Sequence, residues 1–142
     1  MKKKYLIVIA DYYKDISKGL LSSALSLIPK SNIIKIISVP GVFEIPVTIS
    51  KNIKKYDAFL ALGCVIKGQT PHFDFISQAS TSAIIDISVN NNKPVGNGVI
   101  TCLNMKQAKA RKRKGAEAAK AVTSILSQKW ELILIQKIIQ EL

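Results

Sequence analysis

Four apolar stretches rich in β-branched residues alternate along this chain with segments in which apolar residues recur at helical spacing. The apolar stretches span residues 5–10, 33–39, 58–66 and 94–101. Runs of this length and composition are typical of strands buried on both faces of a sheet. The helical segments between them span residues 16–27, 43–54 and 72–90. Because a strand–helix–strand connection joins parallel strands, the alternation predicts a parallel sheet.

The connections also predict how the helices are arranged around that sheet. Right-handed crossovers place helices on both faces, so we predict a three-layer α/β/α sandwich around a four-stranded parallel sheet. Two further helices are predicted at 104–111 and from Ala116 toward Leu142, separated by a basic connection. No linker, repeat or low-complexity segment divides the chain. We therefore expect one domain over residues 1–142, with 129–142 as an apolar helical extension at its C-terminus.

Composition and the first residues exclude several classes of protein. A hydrophobic content of 48% argues against disorder. No apolar run reaches the roughly 18 residues of a membrane span. The basic start and the run 5–10 resemble a signal peptide, but Asp11 ends the run and no small-residue cleavage site follows. We therefore expect a soluble cytoplasmic protein that has no membrane partner.

The two cysteines, Cys64 and Cys102, lie in or beside apolar runs. They have neither CxxC spacing nor a histidine nearby in the sequence, so a metal or redox motif is not indicated. We predict buried free thiols in a reducing compartment. No other motif points to a metal or an organic cofactor, so we expect none.

The net charge of +12 could indicate nucleic acid, anionic lipid or anionic metabolites as partners. Only residues 106–114 form a dense basic cluster, and aromatic residues make up 6% of the chain, too few for a base-stacking platform. One interpretation of the cluster is a nucleic-acid interface, and the other is a solvated basic helix end, which is the usual explanation of a charge run. We favour the second and expect no nucleic-acid partner.

The segment 67–74 after the third strand has the features of an anion site. Gly68 permits close approach of the backbone, Thr70 is a good N-cap and Pro71 suits the first helical position. Free amides and the helix dipole could then hold a phosphate. The only histidine, His72, falls in the first turn of this helix. It is a candidate base, and the alternative is an incidental surface or capping histidine.

A second candidate follows the second strand. Pro40 and Gly41 predict a tight turn, which places Glu44 in the first turn of the next helix. The helix dipole alone favours a carboxylate there, without any ligand. The functional alternative is that Glu44 accepts hydrogen bonds from a ligand rich in hydroxyl groups.

Four linked motifs resemble the lumazine synthase family in their order and spacing. They are VPGVFEIP at 39–46, LGCVIKGQTPHF at 62–73, GVIT at 98–101 and KGAEAA at 114–119. The resemblance runs to about Gln128 and implies a flavodoxin-like fold. It also implies a cofactor-free condensation of 5-amino-6-(D-ribitylamino)uracil with 3,4-dihydroxy-2-butanone 4-phosphate in riboflavin biosynthesis. The implied products are 6,7-dimethyl-8-ribityllumazine, phosphate and water.

The resemblance further implies a site shared between adjacent subunits of a homopentamer, with riboflavin synthase as a candidate partner. His72 matches the family's proton-transfer residue, Tyr12 the aromatic residue that stacks on the pyrimidine, and Arg111 the arginine that a neighbouring subunit contributes to the phosphate. The residues implied to contact the ribityl-pyrimidine are Tyr12, Val42, Phe43, Glu44, Cys64, Val65, Ile66, Asn97 and Lys114. Those implied to bind the phosphate are Gly68, Gln69, Thr70 and Arg111.

The chain departs from the family's pattern in several places. Only Met1 to Lys4 precede the first strand, where the family usually has a segment that pairs with a neighbour, and Asn97 replaces a frequent phenylalanine. The connection 112–114 is short, which favours a pentamer over a closed shell. The apolar tail exposes a surface that normally seeks a partner, so rings paired into a decamer are an alternative. A non-enzymatic flavin-binding or shell-forming protein on the same fold is the other functional interpretation.

Overall fold

The computed structural model describes residues 2–128 and 132–142. Its strands are β1 (Lys4–Ala10), β2 (Ile33–Val39), β3 (Ala58–Ile66) and β4 (Val95–Cys102). They form one sheet in the order β2-β1-β3-β4, and every neighbouring pair is parallel. This is the start of the doubly wound 2-1-3-4-5 order. The predicted three-layer, flavodoxin-like fold class is confirmed.

The helices agree with the predicted segments, except near the C-terminus. They are α1 (Lys14–Leu27), α2 (Ile45–Lys51), α3 (His72–Asn91), α4 (Met105–Ala110), α5 (Lys114–Leu126) and α6 (Leu132–Glu141), with a single 3₁₀ turn at Val42–Glu44 ahead of α2. The predicted stretch from Ala116 toward Leu142 is thus two helices, of which the first begins inside the basic connection. Of the predicted extension, residues 129–131 lie outside the described part of the chain.

Two apolar cores lie on opposite faces of the sheet. On one face, Leu20 of α1 and Val122 of α5 pack against alternate residues of the strands. On the other face, Ile45 of α2 and Ile84 of α3 pack against the intervening residues. The period of two along β1 divides its side chains between the cores, with Tyr5, Ile7 and Ile9 on the first face and Leu6, Val8 and Ala10 on the second.

Burial on both faces, predicted for all four strands, holds for the central pair and is wrong for the edges. Ile33 and Ile36 of β2 are more than 40% exposed. In β4, exposed Asn97 and Thr101 alternate with buried residues. An edge strand has no neighbour on one side, and the helices do not cover it fully. The outer side of β4 is therefore open to a ligand or a partner.

Helices α1 and α5 approach each other closely, and this fixes the basic connection that leads into α5. A Cβ at Gly115 would overlap the carbonyl oxygen of Leu20. Ser23 Oγ donates to the Lys112 carbonyl at 2.7 Å and accepts from the Ala116 amide at 3.0 Å. The chain just before α5 is thus held against α1. Among residues 2–128 and 132–142, no helix is both long and apolar enough to cross a membrane.

Candidate active site

A cavity of about 310 Å³ opens where the first three strands end. We call it the central cavity; its lining is Tyr12, Tyr13, Gly41, Val42, Cys64, Val65, Ile66 and His72. It lies where the order of strands reverses between β1 and β3, the usual position of a ligand in an open parallel sheet. The structure thus brings together six of the predicted site residues: Tyr12, Val42, Cys64, Val65, Ile66 and His72.

His72 is the first residue of α3, and its side chain is exposed at the mouth of the central cavity. The predicted cap is wrong by one residue, because Pro71 rather than Thr70 is the N-cap. The Pro71 carbonyl already accepts the first helical bonds, from Asp74 N at 3.1 Å and Phe75 N at 3.3 Å. Thr70 Oγ1 makes a long contact of 3.5 Å with the His72 amide instead.

The predicted phosphate loop lies just ahead of α3. Gly68, Gln69 and Thr70 are all exposed. A Cβ added at Gly68 would meet no atom of the chain within 4 Å, so the close approach predicted there is not made by this chain itself. The space over this glycine stays open to a ligand.

The wall formed by β1 and its loop contains a residue that the sequence did not single out. Tyr12 is 75% exposed, and its ring meets that of Tyr13 edge to face at 4.9 Å between centroids. Tyr13 is half-buried against the core, and burial raises the pKa of its phenol, with smaller effects from Tyr12 and Cys64. The one sequence feature that could have pointed to Tyr13 is its position shortly after the predicted strand 5–10, where parallel sheets bind ligands.

The β3 end of the central cavity is apolar and chemically unreactive. Cys64 and Cys102 are buried free thiols, as predicted. Burial raises the pKa of Cys64 to about 12, and the nearby Cys102 adds to the shift. Cys64 therefore remains a neutral thiol near pH 7 and serves as a wall rather than as a nucleophile. Gly63 admits the turn after β2, because a Cβ there would lie 2.9 Å from Cγ2 of Val42.

Two predicted residues beside Val42 face another cavity. Phe43 and Glu44 line a largely apolar space of about 420 Å³ between α2 and α3. Phe43 is 69% exposed, and the Glu44 carboxylate folds back so that Oε1 lies 3.7 Å from where a Cβ of Gly41 would be. Neither residue lines the central cavity, although they are the first and second residues after Val42, which does.

The remaining predicted residues lie together elsewhere, on the outer side of β4. Asn97, Arg111 and Lys114 line a cavity of about 810 Å³, which we call the β4-edge cavity. Arg113 and Glu117 also line it, whereas His72 does not. Within one chain, the candidate base and the candidate phosphate-binding arginine therefore face different cavities.

Residues at the β4-edge cavity differ in how their own chain holds them. Asn97 Oδ1 accepts a hydrogen bond from the Val99 amide at 3.0 Å. Arg113 is exposed at the start of α5, while the stem of Lys112 lies directly over Gly19 of α1. Lys112 is thus part of the packing, whereas the side chains of Arg111 and Arg113 are exposed. In the part of the chain that the structure describes, no three His, Cys, Asp or Glu side chains converge as metal ligands would.

Comparison with known proteins identifies the family. The model of the 6,7-dimethyl-8-ribityllumazine synthase family matches residues 2–129. A 6,7-dimethyl-8-ribityllumazine synthase from Bartonella bacilliformis is 42% identical over 87% of this chain and 88% of its own length. Those from Nitrobacter hamburgensis and Agrobacterium fabrum are 39% and 36% identical, over 89% and 93% of this chain and 86% and 99% of their own. The chain belongs to the 6,7-dimethyl-8-ribityllumazine synthase family.

Proposed function

We propose that this protein condenses 5-amino-6-(D-ribitylamino)uracil with 3,4-dihydroxy-2-butanone 4-phosphate in a site built from two neighbouring copies of the chain. The products are 6,7-dimethyl-8-ribityllumazine, phosphate and water. The observation that carries the proposal is the division of the predicted residues. His72 and the aromatic pair line the central cavity, while Arg111 and Lys114 line the β4-edge cavity.

The reaction makes modest demands on the protein. The amines and the leaving phosphate belong to the substrates, so positioning and limited acid–base help suffice for imine formation, proton abstraction, phosphate loss and ring closure. In this scheme Tyr12 stacks on the pyrimidine at the mouth of the central cavity. His72 transfers the proton, and Glu44, two residues after Val42 of the cavity wall, accepts from the ribityl hydroxyls.

The phosphate requires positive charge opposite the loop 68–70. The start of α3 supplies amides and a partial positive charge, which is the usual basis of a helix-start phosphate site. A guanidinium adds a full charge and can bind two phosphate oxygens at once. We assign this role to Arg111 of the adjacent copy, and we place Asn97 and Lys114 of that copy beside the ribityl-pyrimidine.

A contact that places the β4-edge cavity of one copy against the central cavity of the next joins different surfaces. Such a heterologous contact generates a ring when the rotation closes. The family resemblance gives five as the number of subunits, and we propose a homopentamer. The buried free thiols favour a reducing cytoplasm. Riboflavin synthase, which the resemblance also implies, is the partner we propose.

The activity is tested directly by incubating the protein with both substrates. We expect lumazine fluorescence and release of inorganic phosphate in step. His72→Ala should fold normally and lose about 10- to 1,000-fold in turnover, since general acid–base help contributes only part of the rate. A protein that binds flavin or assembles but turns over neither substrate would contradict the proposal.

The shared site is tested by mixing two impaired variants. His72→Ala and Arg111→Ala subunits, co-expressed in equal amounts, should form rings in which some sites receive intact His72 from one chain and intact Arg111 from the next. With random placement, about one quarter of the sites are intact, so turnover should rise to about one quarter of the wild-type value. A mixture no more active than the average of the two parents would place both residues in the same chain's site.

A further inference from the structure

Arg111 is exposed, yet its guanidinium is held by its own chain. Arg111 is the C-cap of α4, and Asn104 is the N-cap of the same helix. Arg111 Nη1 donates to Gln107 Oε1 at 3.2 Å and to Cys102 Sγ at 3.8 Å. Cys102 is fully buried, so one side of the guanidinium rests on the core end of β4.

Gln107 is itself fixed by the start of α4. Its amide donates to Asn104 Oδ1 at 2.9 Å, and its Oε1 accepts from the Leu103 amide at 2.7 Å. This is a variant of the reciprocal capping box, in which the helix-start side chain and the third helical residue satisfy each other's backbone. The same amide oxygen therefore caps the helix and accepts from Arg111. The rotamer of the Gln107 side chain is therefore set by the backbone rather than by solvent.

We propose that Gln107 is a positioning residue that holds the Arg111 guanidinium ready for the phosphorylated substrate. This rests on the phosphate role proposed above for Arg111. Gln107 is half-buried and does not line the β4-edge cavity, so it acts through the arginine rather than on the substrate.

The geometry leaves the useful edge of the guanidinium available. Within residues 2–128 and 132–142, the side-chain hydrogen bonds of Arg111 start from Nη1 alone. The edge formed by Nη2 and Nε can therefore make the two parallel bonds that phosphate recognition uses. An arginine held in this way loses less rotamer freedom on binding than a free one, which favours affinity.

The test compares Gln107→Leu with Asn104→Ala. Both variants remove one half of the capping box, but only the first removes the acceptor for Arg111. We expect Gln107→Leu to raise the KM for 3,4-dihydroxy-2-butanone 4-phosphate by about three- to tenfold, which corresponds to the net contribution of one ordinary hydrogen bond, because the arginine itself remains. The KM for the ribityl-pyrimidine should not change. Gln107→Leu and Asn104→Ala should lower the unfolding midpoint by similar amounts, because each removes one half of the capping box. Asn104→Ala should nevertheless leave both KM values unchanged.

A second pair of variants separates this inference from the function on which it rests. In the Arg111→Ala background, Gln107→Leu should raise the KM for the phosphorylated substrate no further. If Arg111→Ala alone leaves that KM unchanged, the proposed phosphate role fails. If Arg111→Ala raises it and Gln107→Leu does not, the positioning role is overturned. An Asn104→Ala variant that raises it as much as Gln107→Leu would overturn it too, since the effect would then come from loss of α4.

Discussion

At the scale of single residues, the side chains of the basic run 111–113 differ in their contacts and therefore in their roles. Lys112 lies over Gly19, and its carbonyl accepts from Ser23. Arg111 contacts Gln107, whereas Arg113 is exposed at the start of α5. These residues carry the same charge, but their different contacts mean that they are not interchangeable. A variant of Lys112 would report on stability as well as on charge, so Arg113 is the better reference for Arg111.

We predict that Arg111→Lys weakens binding of the phosphorylated substrate and leaves the affinity for the ribityl-pyrimidine nearly unchanged. An ammonium cannot reproduce the paired bonds of a guanidinium. The loss should be about 1.5–3 kcal/mol, or roughly ten- to hundredfold in kcat/KM for that substrate. Arg113→Lys is the matched control and should behave as wild type. Equal effects of the two substitutions, measured by steady-state kinetics, would show that the basic run acts only through its diffuse electrostatic field.

The sequence predicted which residues line the central cavity better than how they are arranged. His72, Cys64 and Val42 could be found because they lie at or after the ends of strands of a parallel sheet and belong to linked motifs. Tyr13 could not, because nothing in a pair of adjacent tyrosines tells which ring is buried. The placement of Glu44 beside another cavity depends on how the 3₁₀ turn directs consecutive side chains. That depends on packing against α3, which local spacing does not encode.

At the scale of elements, periodicity located strands and helices well, but it did not identify edges or helix contacts. Strand β2 is as apolar as β1, yet it lies at the edge, because strand order is set by crossover geometry rather than by composition. The α1–α5 contact depends on Gly115, whose neighbours Leu20 and Ser23 are about ninety positions away in the sequence. A single sequence gives no indication of so distant a pair.

We predict that Gly115→Ala destabilises the fold by about 1–3 kcal/mol or more, the usual cost of overpacking a close contact. The added methyl would push α1 away from α5 at the Leu20 carbonyl. Gly68→Ala is the reference, because its Cβ would meet open space and the free energy of unfolding should barely change. Urea unfolding of the two variants measures the difference. A Gly115→Ala protein as stable as Gly68→Ala would show that the helices separate at little cost.

At the scale of the whole molecule, the family match ends at residue 129, whereas α6 lies beyond it. Ile138, Ile139 and Leu142 are exposed, at 52%, 62% and 100%. The central cavity and the β4-edge cavity both lie within residues 2–128. No described side chain of the helix lines either cavity in its own chain, and the exposed Ile138, Ile139 and Leu142 are available to another surface.

We predict that a chain ending at Gln128 keeps its turnover and sediments as a pentamer. Its two cavities retain the lining residues described above, and the exposed Ile138, Ile139 and Leu142, which would favour association of rings, are removed. Analytical ultracentrifugation and a steady-state assay at matched concentration test this. The full-length protein is the control. A truncated chain that is folded but inactive would mean that α6 contributes to the site or to the ring.

The hydrogen bond between Asn97 and Val99 also has a consequence for a single copy of the chain, whose β4 edge is open. The outer edge of a sheet is a template on which other chains can deposit strands, and this is how aggregation starts. At the middle of β4, the Val99 amide that would receive such a strand is taken by a side chain of the same strand. Asn97 thus occupies one donor of this open edge, so a strand added from another chain would have to break that bond before it could pair at Val99.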